Sequence, residues 1–261
     1  TLKSIIDAAQ NNTADALTLD VFTALGFKNI TNGVPDEGEV GLDSIKSALN
    51  SELVNGAAVD TLAKLQGVVA SYLAILQAAD GDTTTNPTMI SEEDFTKIGV
   101  DMTSASVAEG SKASFVALLI DVVGMSEHSG VDSVPALQAL ANAVNGVMLG
   151  AAGEKGKPTL ADLEILAAVD GEEGFTHIHT VLDPNGNSVS EFVSHIANED
   201  NLFVIQQQIA KLIDAGNGIV TLEELTEVIS LTLHGYYLAL YDFTFVSSEP
   251  LVVIEYYENN F

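Results

Sequence analysis

Apolar residues recur along most of this chain at the three- and four-residue spacing of amphipathic helices. Three segments carry a short stripe of this kind, at Leu42, Ile45 and Leu49, at Phe115, Leu118 and Leu119, and at Val189, Phe192 and Ile196. A longer stripe runs through Leu62, Leu65, Val69, Leu73 and Leu76. Each stripe covers one face of a helix, so the pattern predicts a mainly α protein whose helices each bury one side.

The helical pattern is repeated. Leu17 to Phe27 matches Ile90 to Val100 position by position, and Val59 to Gln66 matches Val131 to Gln138. A third, more diverged copy begins at Thr159 and reaches Gln206, and a fourth start at 221–225 is not completed. Self-similarity at a fixed period is typical of tandem arrays, in which neighbouring units stack to bury a continuous core.

Each copy is predicted to contain three helices. The first begins at a Ser or Thr N-cap (Thr18, Ser91, Thr159 and Thr221). Ser91 with Asp94 has the spacing of a capping box, and Gly26 and Gly99 stand where a helix would end. The third and longest helix is expected to begin at an Asp cap, which is Asp60, Asp132 or Asp200.

The chain then changes character near its carboxyl end. Aromatic and β-branched residues fill 236–246 and 251–257, and the sequence Ser-Ser-Glu-Pro separates them, which predicts two strands joined by a turn. Four consecutive apolar residues would give the second strand two apolar faces; they are Leu251, Val252, Val253 and Ile254. Because a single sheet face is not enough to cover them, we expect this segment to dock on a neighbouring subunit.

These patterns divide the chain into six segments. The predicted fold class is mainly α, with tandem three-helix repeats followed by a β-hairpin-like extension. The segments are the end of a preceding repeat helix at 1–16, helical repeats at 17–88, 89–157 and 158–218, a partial fourth repeat helix at 219–235, and the β-type extension at 236–261.

Charge excludes several classes of partner. The nine basic residues are all Lys and face 37 acidic ones, so the net charge is −28. Binding to nucleic acid needs clustered Lys and Arg, and so does binding to an anionic membrane surface. Without Arg the chain also lacks the usual fork for phosphates and carboxylates. Such a surface attracts cations, and divalent ions are the expected counter-charge.

No catalytic motif is found. The sequence has no Cys, and it contains no nucleophile elbow, phosphate loop, zinc-protease helix or dinucleotide fingerprint. His177 and His179 would share a face only in a strand, and in a helix they point apart, so a zinc site is disfavoured. Without a catalytic motif we expect no enzymatic activity. The sequence also has no run of 18 apolar residues and no signal peptide, so we expect no membrane insertion.

Two loops have some of the oxygen ligands of a Ca²⁺ site. The first offers Asp183, Asn185, Asn187 and Glu191, but its Gly is misplaced and Ser194 stands where a bidentate Glu is wanted. The loop has two interpretations, a Ca²⁺ site or a cap for the following helix.

The second loop offers Asp214, Asn217 and Glu224, but it is one residue too short and has Ala215 at a ligand position. Acidic loops at 36–39, 80–82 and 170–173 add further oxygen ligands or are solvated surface. Ca²⁺ is therefore the one cofactor that the sequence suggests.

The repeats resemble a known class of protein. The motif from Leu17 to Phe27, the core from Val59 to Gln66 and the Ala-Asp-Gly at 79–81 are similar to helical repeats in very large secreted surface proteins of bacteria, many of them adhesin-like. The likeness covers about residues 15 to 235. It implies an exported, acidic, Ca²⁺-rich setting at the cell surface and a structural or adhesive role, and it implies no catalytic residues.

The function expected from the sequence is that of an extracellular structural or adhesive repeat protein. Its expected partner is itself, through head-to-tail contacts that build a filament or a surface layer, with Ca²⁺ as a stabilising ion. The alternative is a modular Ca²⁺-binding protein, similar to EF-hand proteins, with no assembly role.

Overall fold

A computed structural model describes residues 1–36, 38–79, 90–103, 112–167 and 206. This part of the chain is mainly helical, as predicted, with eight α-helices and one short pair of parallel strands. The helices are α1 (Leu2–Asn11), α2 (Leu19–Thr23), α3 (Leu42–Leu49), α4 (Leu62–Ala78), α5 (Glu92–Ile98), α6 (Lys112–Met125), α7 (Val134–Ala151) and α8 (Leu160–Ala167). Three short 3-10 turns join them, at Ala14–Ala16, Gly56–Val59 and His128–Gly130.

The short helices begin where their capping residues predict. Thr18 is the N-cap of α2 and Ser91 is the N-cap of α5. Asp94 Oδ2 accepts hydrogen bonds from Ser91 N at 2.9 Å and from Ser91 Oγ at 2.8 Å, which confirms the predicted capping box. Gly99 ends α5 with φ at 95°, a conformation that disfavours residues with a side chain.

The long helices begin one residue later than the predicted Asp caps. Thr61 is the N-cap of α4, and its hydroxyl accepts a hydrogen bond from Lys64 N at 3.3 Å. Ser133 caps α7 in the same way, through Ala136 N at 3.4 Å. The prediction of Asp60 and Asp132 as caps is therefore wrong, because the adjacent hydroxyl residue occupies the capping position in each helix.

The buried face of α4 also differs in part from the predicted stripe. Leu62 is 37% exposed, whereas Leu65, Val69 and Leu76 are buried. Tyr72 completes this face and is fully buried. The predicted stripe omitted Tyr72 because its hydroxyl makes it a polar residue, although its ring supplies much of the packing.

A pair of two-residue parallel strands was not expected. β1 (Ile30–Thr31) pairs with β2 (Val40–Gly41), with Ile30 opposite Val40 and Thr31 opposite Gly41. The pair closes a loop between α2 and α3. Two residues per strand are too few to produce the alternation by which strands are recognised.

The core runs through all of the helices. Four aromatic side chains are almost completely buried, those of Phe22, Tyr72, Phe95 and Phe115. The long helix α4 packs on α5, and α7 packs on both α6 and α8. The amino-terminal α1 packs against the 3-10 turn at Gly56–Val59. The predicted third repeat beyond α8, the partial fourth repeat and the carboxy-terminal strands lie outside the described residues.

Candidate functional site

A cleft of about 630 Å³ opens between the end of α3 and the beginning of α7. One wall is made by α3 and the turn after it, from Asp43 to Leu53. Opposite it stand Gly99 and Asp101, which follow α5, and the first turns of α7 with Val134, Pro135 and Gln138. The cleft therefore lies where two stretches of chain that are far apart in sequence meet.

Two hydrogen bonds hold these walls together at the base of the cleft. Val134 N, at the start of α7, donates to Ser47 Oγ of α3 at 2.9 Å. Ser51 Oγ donates to the carbonyl oxygen of Gly99 at 2.7 Å. A Cβ at position 99 would collide with the Ser51 side chain, so this approach requires glycine as well as the positive φ.

Two amide side chains brace the cleft. Asn50 Oδ1 accepts from Ala14 N at 2.8 Å, and Asn50 Nδ2 donates to Asp15 Oδ1 at 2.9 Å. Gln138 Oε1 accepts from Asp101 N at 2.7 Å, and Gln138 Nε2 donates to Asp101 O at 3.3 Å. Their hydrogen-bonding groups serve mainly to fix loops, so the amides give the cleft a defined shape.

The charge of the cleft is strongly negative. Asp15, Asp43, Glu52 and Asp101 line it together with a single cation, Lys46. Lys46 Nζ lies 3.4 Å from Asp43 Oδ1, and the Lys46 side chain is 18% exposed while that of Asp43 is 96% exposed. An ion pair with one solvated partner stabilises the fold weakly.

A buried hydroxyl group lies close to the segment that precedes α7. Tyr72 OH of α4 donates to the carbonyl oxygen of Val131 at 3.3 Å, which ties α4 to the segment that precedes α7. Burial raises the pKa of Tyr72 well above its usual value, and the charge of Asp132 raises it further. Tyr72 therefore remains a neutral donor and has a structural role.

Two carboxyl groups in this part of the protein have raised pKa values. Burial raises the pKa of Asp121 on α6. Burial also raises the pKa of Asp132, and the nearby charge of Asp43 adds to the effect, while a backbone hydrogen bond opposes it. Both carboxylates are therefore disfavoured in the folded protein.

All of the predicted Ca²⁺ ligands fall on residues outside the described part of the chain. They are Asp183, Asn185, Asn187, Glu191, Asp214, Asn217 and Glu224. The same holds for His177, for His179 and for the predicted assembly residues Leu251, Val252, Val253 and Ile254. Across the ranges that the structure does describe, no three His, Cys, Asp or Glu side chains come together as a metal site.

One of the acidic loops singled out in the sequence is described at its ends. In the loop 36–39, Asp36 N donates to Glu39 Oε2 at 3.3 Å, and Glu39 N donates to Asp36 O at 2.9 Å. These contacts close the loop on itself ahead of β2. The carboxylate of Glu39 thus has a local structural role.

Sequence patterns did not indicate the cleft. Its residues extend from Asp15 to Gln138 and come together through contacts between segments that are far apart in the sequence, including the packing of α3 against α7. One signal was available: Gln138 belongs to the matched core that the second copy shares with the first. That match predicted a buried helix face and gave no reason to expect a cleft beside it.

Comparison with protein-family models, curated proteins and solved structures found no match for this chain.

One helix in the described ranges, α7, has the length and mean hydropathy of a membrane span. Within the protein 67% of this segment is buried. Core helices of folded domains have the same character, so the length and hydropathy of α7 are weak grounds for a membrane role.

Proposed function

We propose that this chain is an extracellular structural or adhesive protein built from tandem helical units that assemble head to tail. Support comes from elements that recur in the same order. Short helices follow Thr18, Ser91 and Thr159, and long helices follow Thr61 and Ser133. The proposed units are those expected from the sequence, at 17–88, 89–157 and 158–218.

The contact between each long helix and the next short helix carries this proposal. α4 packs on α5, and α7 packs on α8. In the first pair Ser71 Oγ of α4 donates to Asp94 Oδ1 at 2.8 Å. In the second pair Asp162 of α8 lies so close to Gly146 of α7 that a Cβ at position 146 would collide with its carboxylate.

In both joints the same acid also caps its own helix. Asp162 Oδ2 accepts from Thr159 N at 2.8 Å and from Thr159 Oγ1 at 2.7 Å, as Asp94 Oδ2 does from Ser91. In such a joint one carboxylate caps the first helix of the next unit and also contacts the long helix of the preceding unit. This arrangement can be repeated from unit to unit along a chain. This is the nearest-neighbour logic by which repeat proteins extend.

Assembly between chains is proposed to use the extension at 236–261. Leu251 to Ile254 are apolar on consecutive positions, and only Pro250 and Glu255 flank them as residues that discourage strand addition. Heterologous contacts that do not close into a ring produce filaments or layers.

Sedimentation velocity tests this proposal when the full chain is compared with a chain lacking residues 243–261. We expect the full chain to sediment as a concentration-dependent series of oligomers, and the shortened chain as a monomer with unchanged helical circular dichroism. If the shortened chain associates as the full chain does, or if it loses its helical signal, the extension has no dedicated role in assembly.

The second candidate is a modular Ca²⁺-binding protein without an assembly role. The spacing of Asp183, Asn185 and Asn187 favours it. An ion that binds only the folded state raises the melting temperature by mass action. Melting curves in millimolar Ca²⁺ and in excess chelator therefore test this candidate, and identical curves would eliminate it.

A further inference from the structure

The cleft between α3 and α7 combines an apolar wall with an acidic rim. Leu53 is 50% exposed, and the cleft is also lined by the exposed Pro135 and by Val134, which is buried beneath the surface. In the described ranges Leu53 is one of three large hydrophobic side chains exposed in this way, with Val34 and Leu62. Neither of the other two lines the cleft.

The rim determines which kind of molecule the apolar wall would accept. Asp15, Asp43, Glu52 and Asp101 contribute four carboxylates against the one ammonium group of Lys46. An excess of negative charge around a concave surface raises the local concentration of cationic ligands. The same excess repels acidic ligands, and this includes most of the surface of a second copy, which carries 9 basic and 37 acidic residues.

The behaviour of Lys46 shows which side chain fits these surroundings. Its side chain is only 18% exposed, so most of its alkyl stem is covered by the protein, while its ammonium group lies 3.4 Å from the exposed carboxylate of Asp43. Long basic side chains commonly lie in this way, with the stem on apolar surface and the charge toward water.

We propose that this cleft is a docking site for a segment of a partner protein that carries Lys or Arg next to an apolar side chain. The apolar residue packs on Leu53 and Pro135, and the cation lies among the carboxylates of Glu52, Asp15 and Asp101. The proposal concerns a second protein and not self-assembly, so it stands or falls independently of the head-to-tail proposal.

The test is a titration of the full chain against a short fluorescein-labelled peptide of alternating Leu and Lys, followed by fluorescence anisotropy. We expect saturable binding that becomes weaker as salt is added. Glu52→Lys and Leu53→Ser should each weaken binding about tenfold, since each removes one of the two complementary surfaces.

Matched variants separate the cleft from the general negative charge of the protein. Asp20→Lys makes the same change from acid to lysine at an exposed position on α2, and Leu62→Ser makes the same apolar-to-polar change on α4. Both should bind the peptide like the unmodified chain. Circular dichroism of all four variants should show the same helical signal.

Several results would overturn the proposal. One is equal weakening by Glu52→Lys and Asp20→Lys, which would mean diffuse binding to an acidic surface. Unchanged binding by Leu53→Ser would mean that the apolar wall does not contribute to binding. Full displacement of the peptide by spermidine would mean that the site binds small polyamines. A dimer that Leu53→Ser dissociates would make the face a contact between copies.

Discussion

At the scale of single residues, the fold places some charged side chains in surroundings that disfavour their charge. Asp121 is one of them, since it is half-buried in α6 and burial raises its pKa. A carboxyl group with a raised pKa in the folded state destabilises the fold whenever it is ionised.

Asp121→Asn should therefore stabilise the protein at neutral pH. Because the folded pKa exceeds the unfolded value, the destabilisation is fully present above the folded pKa and disappears below the unfolded one. We expect the melting midpoint to rise by about 1 to 3 °C at pH 7, and the gain to vanish as the pH falls below the usual range of Asp. Thermal melts across this pH range test it, with Asp20→Asn as an exposed control. A gain that persists at low pH would contradict it.

Core packing at matched positions gives a second prediction. Leu65 of α4 and Leu137 of α7 are both fully buried. Leu65→Ala and Leu137→Ala should each lower the free energy of unfolding by about 2 to 5 kcal/mol. Leu62→Ala, at a position that is 37% exposed, should cost much less. Denaturant titrations measure all three, and two neutral core variants would mean that the matched positions do not share a packing role.

At the scale of elements, the joint between α4 and α5 concentrates several functions in Asp94. Its carboxylate caps α5 through Ser91 and accepts from Ser71 of α4, which is buried. Loss of a cap costs about 1 kcal/mol, and a buried hydroxyl left without its acceptor adds a similar amount.

We expect Asp94→Ala to destabilise the protein by about 2 kcal/mol. The double variant with Ser71→Ala should recover part of that loss, because the buried hydroxyl is removed together with its acceptor. Denaturant unfolding of both single variants and the double variant closes the cycle. Strict additivity of the two changes would show that the two side chains do not interact.

The sequence predicts the helices better than their junctions. Thr18, Ser91 and Gly99 mark helix ends by local chemistry, and the structure agrees with them. For the long helices the sequence predicts caps at Asp60 and Asp132, one residue before the observed caps Thr61 and Ser133. An Asp and a hydroxyl residue stand side by side there, and either suits the position.

The cleft and the parallel strand pair could not be predicted, because both depend on contacts between distant segments. The cleft needs Ser51 to meet Gly99 and Ser47 to meet Val134. The strands join residues ten apart, Ile30 and Val40, around a loop with no strand pattern. Local periodicity carries no information on either contact.

At the scale of the whole molecule, the central claim is that the chain extends and assembles in one direction. The joint between a long helix and the next short one is found twice, at α4 with α5 and at α7 with α8. The net charge of −28 opposes collapse of such a chain onto itself. We therefore expect the proposed assembly to depend on divalent cations.

Electron microscopy of the purified full chain, in millimolar Ca²⁺ and in excess chelator, tests this claim most directly. We expect ordered filaments or sheets in Ca²⁺, with a repeat that persists between preparations. Separate particles of the size of one chain in both conditions, even at high protein concentration, would contradict it.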